Sequence, residues 1–204
     1  AVPLIGASGR LEGVLNLESP LVGGFGDDDS HLLQALATQA VIAIQEVRLL
    51  DALQEVARLL LSQPYQKVLQ HLSKLACDLL DASASSIWSL RGEDLLLDVS
   101  SGGYQHGERI PLNGSLTGEV VRSGQPLVAH DLRRDARFHR PDLAQSQNWD
   151  RALIVPLLPG DGGQPLGAFS VYSSSAATGH FAESEWDKKV LVCLADYAVL
   201  AYQN

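Results

Sequence analysis

The sequence contains no methionine and only two cysteines, Cys77 and Cys193, among its 204 residues. Two cysteines cannot build the disulfide framework of a small secreted domain, so we expect a reducing, cytoplasmic setting. Because methionine is missing even at position 1, we expect the chain to be processed or cut from a longer protein.

Basic residues and long apolar runs are also scarce. The chain carries 15 Lys and Arg against 24 Asp and Glu, for a formal net charge of −9. Binding to nucleic-acid phosphates requires a basic surface, so we expect no nucleic-acid partner. The longest apolar runs, such as residues 152–158, are far shorter than the about 20 residues of a membrane-spanning helix, so we expect no membrane insertion.

A long stretch without Gly or Pro, residues 28–62, predicts one unbroken helix, with Asp27, Asp28, Asp29 and Ser30 supplying its N-cap. One apolar stripe has the period of a helix that covers a sheet: Leu33, Leu36, Ala37, Ala40, Ala43 and Ile44. A second set has the spacing of a coiled-coil seam: Ile42, Leu49, Leu53, Val56 and Leu60. The helix is therefore predicted to connect two domains and to pair with a second copy in a homodimer.

The two ends of the chain resemble each other. Val2-Pro3-Leu4 matches Val155-Pro156-Leu157, and residues 13–19 parallel residues 167–173. Phe25 and the acidic residues after it resemble residues 181–185, and residues 36–45 parallel residues 194–203. An internal repeat of this length indicates duplicated domains. We predict that residues 1–45 are the C-terminal part of a first domain, residues 46–63 a linking coiled-coil helix, and residues 64–204 a complete second domain. The repeat extends the predicted dimer interface to Trp186, Cys193 and Leu200.

Within the second domain, apolar periodicity predicts helices at both ends and strands between them. The predicted helices cover residues 64–81, 115–122 and 183–202, and the predicted strands cover residues 85–90, 95–101, 109–111, 126–131, 152–158 and 166–173. This order predicts an α+β fold.

Three features of the sequence resemble a GAF domain: the run Arg151-Ala152-Leu153-Ile154-Val155-Pro156-Leu157, the pair Leu166-Gly167, and Phe181 followed by acidic residues and the Leu194-Ala195 helix. Residues 2–45 repeat part of this pattern. The resemblance implies a central antiparallel sheet of about six strands. It also implies that the N- and C-terminal helices pack on one face, with a ligand pocket on the other. Tandem GAF domains joined by a long helix regulate output domains such as histidine kinases and cyclases.

The resemblance also bears on cofactors. GAF domains that bind bilin attach it through a pocket cysteine, but residues 133–149 contain none, and both cysteines lie on the predicted end helices. This argues against covalent bilin and against a thiol-dependent methionine-sulfoxide reductase. Haem and a nucleotide stay open as ligands, and no metal site is predicted, because His106, His130, His139 and His180 lack zinc-site spacing. We therefore expect a module that is not an enzyme.

Strand parity assigns pocket residues. On residues 166–173, Phe169 and Val171 are expected to face the end helices, and Ser170 and Tyr172 the pocket. The other ligand candidates are Trp88, His130, Arg134, Phe138, Trp149 and Ile154. Arg133, Arg134, Arg137 and Arg140 could hold a phosphate or a carboxylate, or form an ion-paired surface loop with Asp131, Asp135 and Asp142.

We therefore expect a regulatory sensory module of a bacterial signalling protein, which binds a small molecule and relays a signal through a dimeric helix to an output domain of the same chain. The alternative is a protein-interaction or dimerisation scaffold, in which aromatic side chains fill the pocket. In either case, we predict that the hairpin at residues 2–19, which has lost the strands it once paired with, docks through its unpaired edges on another chain or another sheet edge.

Overall fold

The computed structural model describes residues 1–6, 9–160, 162–174 and 184–204. The strands are β1 (Val2–Ile5), β2 (Leu11–Leu15), β3 (Ala84–Arg91), β4 (Asp94–Ser100), β5 (Arg109–Pro111), β6 (Leu127–Ala129), β7 (Arg151–Pro156) and β8 (Gly167–Ser173). The helices are α1 (Asp27–Ser62), α2 (Tyr65–Leu80), α3 (Leu116–Ser123), α4 (Pro141–Ser146) and α5 (Glu185–Gln203). The predicted Phe181 motif and His180 lie outside the described residues.

The larger of the two sheets has six antiparallel strands in the order β5-β4-β3-β8-β7-β6. Helices α2 and α5 pack together on one face. Helices α3 and α4 cover the other face and contribute to a separate buried cluster. This arrangement confirms the predicted α+β fold.

The long helix α1 is unbroken over its 36 residues, as its lack of Gly and Pro predicts. Its N-cap differs from the prediction, because the cap is Gly26 and not a residue of the acidic run. The Gly26 N–H donates a hydrogen bond to the Asp29 carboxylate at 2.9 Å. Among the described residues, no helix combines the length and apolar character needed to cross a membrane.

Part of the predicted dimer seam is buried inside the chain. Val56 is 0% exposed, and Leu49 is also buried; both join the hydrophobic cluster that α2 and α5 form on the sheet. Leu53 and Leu60 pack partly buried against the same cluster. The seam prediction is therefore corrected at these positions: the apolar spacing of α1 serves packing within the chain, because α2 folds back alongside it.

The remaining interface candidates are more accessible. Ile42 is 43% and Leu200 50% exposed. Cys193 and Trp186 are half-buried on α5, and Trp186 faces a small cleft that Arg10 and other residues of the N-terminal half also line. Ile42 and Leu200 therefore remain the residues through which a helix pair could form.

The N-terminal hairpin repeats the strand pairing of β7 and β8. Val2 pairs with Leu15 as Val155 pairs with Phe169, and Pro3 pairs with Val14 as Pro156 pairs with Ala168. The pairing register of the sequence repeat is thus the same in both copies.

The hairpin packs on α1 and forms a two-stranded sheet of its own. Ala37 and Val41 on α1 are buried, as are their repeat equivalents Ala195 and Val199 on α5. Leu36, predicted to be part of this stripe, is exposed instead. The repeat therefore preserves helix packing at these two positions but not at Leu36, whose equivalent Leu194 is buried.

Candidate functional site

Strand β8 contributes side chains to two hydrophobic clusters, one on each face of the sheet. Phe169 and Val171 pack with α2 and α5 on the helix side. Ala168 and Tyr172 belong to the cluster on the opposite face, together with residues of α3 and α4. Successive residues of a strand point to opposite faces of the sheet, and the alternation predicted for these residues is confirmed.

An aromatic cluster, made of Trp88, Tyr104, Phe138, Trp149 and Tyr172, fills the face opposite α2 and α5. The rings of Trp149 and Tyr172 stack with their centroids 4.6 Å apart, and each residue is 1% exposed. Tyr104 stacks on Trp149 at 6.0 Å and meets Trp88 edge-on at 5.3 Å. Ile154, another predicted pocket residue, is buried in the same hydrophobic cluster.

A hydrogen-bonded network runs through the aromatic cluster. The indole N–H of Trp88 donates to Ser86 Oγ at 2.8 Å, and Ser86 Oγ lies 2.9 Å from the Tyr172 hydroxyl. The Tyr104 hydroxyl donates to the Tyr172 hydroxyl at 3.5 Å. Burial and the neighbouring Tyr172 raise the pKa of Tyr104 well above 10.0, so this phenol keeps its proton at neutral pH.

Ser170 lies beside this network without joining it. It stands opposite Ser86 on β3 and opposite Ile154 on β7. Its buried hydroxyl has no hydrogen-bond partner among the described residues. Leaving a buried hydroxyl unpaired costs about 1–3 kcal/mol, so Ser170 offers a hydrogen bond to a small polar molecule that reaches the sheet.

An ion-paired lid covers the Tyr104 side of the cluster. Arg140, the N-cap of α4, donates to Glu108 at 2.8 Å and to Asp142 at 2.7 Å. Its guanidinium carbon lies 5.9 Å from the centre of the Tyr104 ring, within the range of a cation–π contact. The lid thus connects α4 to the segment before β5 across Tyr104.

His130 and Arg134 do not join the aromatic cluster. Together with Asp131, Arg133, Gln145, Asp150 and Arg151, they line a polar surface cleft of about 740 Å³. Arg133 pairs with Asp150 at 2.8 Å, and Arg134 lies 3.6 Å from Asp131. The basic segment is therefore an ion-paired surface loop, and the predicted grouping of these two residues with the aromatic candidates is wrong.

Both cysteines lie away from the aromatic cluster, on α2 and α5. Burial, followed by the nearby Asp196 carboxylate, raises the pKa of the Cys193 thiol and lowers its reactivity. Among the described residues, no group of three or more His, Cys, Asp and Glu side chains is arranged to hold a metal ion.

Comparison with protein families decides the identity of this fold. The family model described as a GAF domain matches residues 62–201, more than half of the chain. The chain belongs to the GAF domain family. A search of curated protein sequences finds no match.

Solved structures show the same GAF fold. The chain is similar to the GAF domain of a phosphoenolpyruvate-protein phosphotransferase from Coxiella burnetii, with 20% identity and a TM-score of 0.65, covering 77% of this chain and 94% of that one. It is also similar to the A. Aeolicus nlh2 GAF domain in an inactive state, with 15% identity, a TM-score of 0.62, and coverage of 78% and 98%. The GAF domain of a two-component sensor histidine kinase from Bacillus halodurans gives 18% identity, a TM-score of 0.52, and coverage of 64% and 90%.

The GAF domain contains site residues that the sequence reasoning missed. Ser86 lies two residues before Trp88 on β3 and so points to the same face, which strand parity could have indicated. Tyr104 and Glu108 lie in irregular segments, and Arg140, predicted only as part of the basic segment, is a helix cap; no periodicity predicts which way these side chains point. These three residues form the lid side of the aromatic cluster.

Proposed function

We propose that this chain is a regulatory sensory module of a cytoplasmic signalling protein, and that its GAF domain binds a small molecule at the aromatic cluster. The observation that carries the proposal is the unpartnered hydroxyl of Ser170, buried beside the Ser86–Tyr172 network. Aromatic faces with a few convergent polar groups are typical of small-ligand sites. A ligand here would replace part of the ring packing and accept or donate a hydrogen bond at Ser170.

The route of the signal would be the sheet itself. Tyr172 belongs to the aromatic cluster, whereas Val171 next to it packs with α2 and α5. A ligand that moves β8 therefore acts on both helices. To change the output, the ligand must bind one arrangement of the helices more tightly than the other.

We further propose that residues 1–45 are the C-terminal part of a first GAF domain, linked by residues 46–63 to the complete domain at residues 64–204. The shared pairing register of β1–β2 and β7–β8 supports this division. The output domain would belong to the same protein, as in a sensor histidine kinase, a class represented among the similar structures. The chain would then act by binding and relay without catalysis of its own.

Ligand screening tests the sensory proposal. Native mass spectrometry and thermal shift would be run with nucleotides, haem and amino acids, and hits would be followed by tryptophan fluorescence. The Trp186→Phe background leaves Trp88 and Trp149, both in the aromatic cluster, as the only fluorophores of their kind.

A matched pair of serine variants makes the screen specific. Ser170→Ala is expected to weaken a hit by about tenfold, the equivalent of one hydrogen bond of about 1.4 kcal/mol. Ser89→Ala, which removes another buried, unpartnered hydroxyl, should leave the affinity unchanged, because Ser89 lies one position from Trp88 and faces the other side of β3. Equal loss in both variants, or none in Ser170→Ala, would count against this site.

The packing of the cluster favours a second candidate function, a dimerisation scaffold. Trp149 and Tyr172 are stacked and almost fully buried, which a core with no ligand also requires. A scaffold would give no hit in the screen, and Ser170→Ala would change only its stability. The same experiment therefore separates the two functions.

A further inference from the structure

A second candidate site lies on the helix side of the sheet, where α2 begins and α5 ends. A cavity of about 550 Å³ lies between these helix ends, the end of β3 and the residues just before β8. Its walls include Tyr65, Leu90, Pro165, Leu166 and Tyr202. The volume is within the range of small-molecule pockets, and the wall is mostly apolar and aromatic.

The two tyrosines present ring surface to the cavity. The centroids of Tyr65 and Tyr202 are 5.9 Å apart, with 41° between the ring planes. The Tyr202 hydroxyl is already engaged, because it donates a hydrogen bond to the Asp98 carboxylate. Burial and that carboxylate raise the pKa of Tyr202 above 10.0, which keeps the donor protonated. A planar apolar group would therefore meet the ring faces and leave this hydrogen bond in place.

Arg91 supplies a positive charge at the same cavity. Its side chain is exposed, and no carboxylate of the described residues lies within ion-pair distance of it. Arg137 and Arg140, by contrast, are each paired with two carboxylates. Among the described residues that line the cavity, Arg91 is the one with a charged side chain, so it is the group that can pair with an anion.

Ser89 adds a buried polar group to the cavity wall. It is buried, lines the cavity, and its hydroxyl has no hydrogen-bond partner among the described residues. On β3, Ser89 and Arg91 point to the same face, because they are two residues apart. The cavity thus combines a flat apolar space with a hydroxyl and a guanidinium on one strand.

We propose that this junction cavity, defined by Tyr65, Ser89, Arg91 and Tyr202, binds a small aromatic carboxylate. The ring would lie against the two tyrosines, and the carboxylate would pair with Arg91. The site is independent of the aromatic cluster, since the sheet separates them. Its occupant would touch the first helix of the domain and the last one together, so binding would fix their relative position.

The test uses 4-fluorobenzoate as the probe and 4-fluorobenzyl alcohol as its uncharged counterpart, both followed by fluorine NMR titration of the whole chain. The expected result is saturable binding of the acid in the millimolar range and at least about tenfold weaker binding of the alcohol. Arg91→Gln should reduce binding of the acid to the level of the alcohol. Arg109→Gln is the matched control, because it removes an exposed arginine of the same sheet outside the cavity.

Further variants keep the test independent of the proposed function. Ser89→Ala and Tyr65→Leu are expected to weaken the acid severalfold, whereas Ser170→Ala should have no effect on it. Circular dichroism would verify that each variant is folded. No saturable binding of the acid, equal binding of acid and alcohol, or equal loss in the Arg91→Gln and Arg109→Gln variants would overturn the junction site. A failure of the aromatic-cluster screen leaves these measurements unchanged.

Discussion

The ring of Trp149 lies nearly parallel to the ring of Tyr172, with 4.6 Å between the centroids and 12° between the planes. Trp149 precedes β7, and Tyr172 is near the end of β8. The stack therefore holds the approach to one central strand against the neighbouring strand. We therefore expect substitutions of Trp149 or Tyr172 to lower the free energy of unfolding of the whole domain.

Removing one hydroxyl tests the network beneath the stack. Tyr172→Phe keeps the ring but takes away the group that links Ser86 and Tyr104. We expect a loss of about 1–2 kcal/mol in the free energy of unfolding, because buried partners lose a hydrogen bond. Urea denaturation measures it. Tyr197→Phe, at a half-buried tyrosine of α5, is the control and should stay within about 0.5 kcal/mol of the wild type. Similar losses in both variants would contradict the network's role.

A glycine beneath the aromatic cluster gives a packing test. A Cβ added at Gly102 would lie 2.5 Å from Ala84 Cβ and 3.0 Å from the Trp149 ring. Gly102→Ala is therefore expected to destabilise the domain by about 1–3 kcal/mol through overpacking. Gly160→Ala serves as the control, since a Cβ there meets no atom within 4 Å. A neutral Gly102→Ala variant would show that the cluster is looser than this geometry requires.

The loop before α4 predicts a specific pH dependence. Arg137 lowers the pKa of Asp135 below its ordinary value of 3.8 through two hydrogen bonds to the carboxylate. A lowered folded-state pKa contributes stability above the unfolded-state value, and this contribution is lost as the pH falls through the folded-state value. The Asp135→Asn variant should therefore lose less stability than the wild type between about pH 5 and pH 3, measured by urea denaturation.

Asp196 provides the control of opposite sign. Partial burial raises the pKa of Asp196 above 3.8, so the stability it contributes is present at low pH and lost as the pH rises through the folded-state value. Asp196→Asn should make the acid-induced loss of stability larger than in the wild type. Two aspartate variants that shift the profile in the same direction would rule out this assignment.

The regular elements were predictable from sequence, whereas the direction of the loops was not. Period-two alternation identified which side of β8 Tyr172 faces, and the absence of Gly and Pro identified α1 as one helix. His130 and Arg134 were misplaced because they follow the end of β6 in an irregular segment, where no periodicity indicates which way a side chain points. Asp131 in this segment has a backbone in the left-handed region, with φ 53°, which the residue pattern does not predict.

The burial of two residues of the predicted α1 seam has a different reason. Leu49 and Val56 are seven residues apart, and this spacing fits a partner helix of another chain as well as α2 and α5 of the same chain. Periodicity specifies an apolar face but not what covers it. Only the backbone path after Pro64, which brings α2 alongside α1, decides between the two.

A tyrosine anchor at the end of α5 gives a further prediction. The Tyr202 hydroxyl bonds to Asp98 on β4, and the Asn204 side chain donates to the Leu60 carbonyl of α1 at 2.8 Å. Tyr202→Phe should cost about 1–3 kcal/mol, because it leaves a half-buried carboxylate without its donor. Hydrogen exchange should accelerate in the last turns of α5 before the rest of the helix. Uniform acceleration along α5 would mean that the bond is not a local anchor.

If the chain dimerises through its helices, substitutions at the exposed interface positions should disrupt the dimer without unfolding the domain. Ile42→Glu and Leu200→Glu place a charge on accessible apolar positions of α1 and α5. If the wild type is a dimer at micromolar concentration, both variants should be monomeric at that concentration, as measured by light scattering and sedimentation. Leu158→Glu, at another exposed leucine outside the helices, should leave the dimer intact. Val56→Glu should instead unfold the domain, because that side chain is buried within the chain. A monomeric wild type, or a dimer that survives both helix variants, would exclude the helix-mediated relay and leave the sheet to couple the ligand to the helices within one chain.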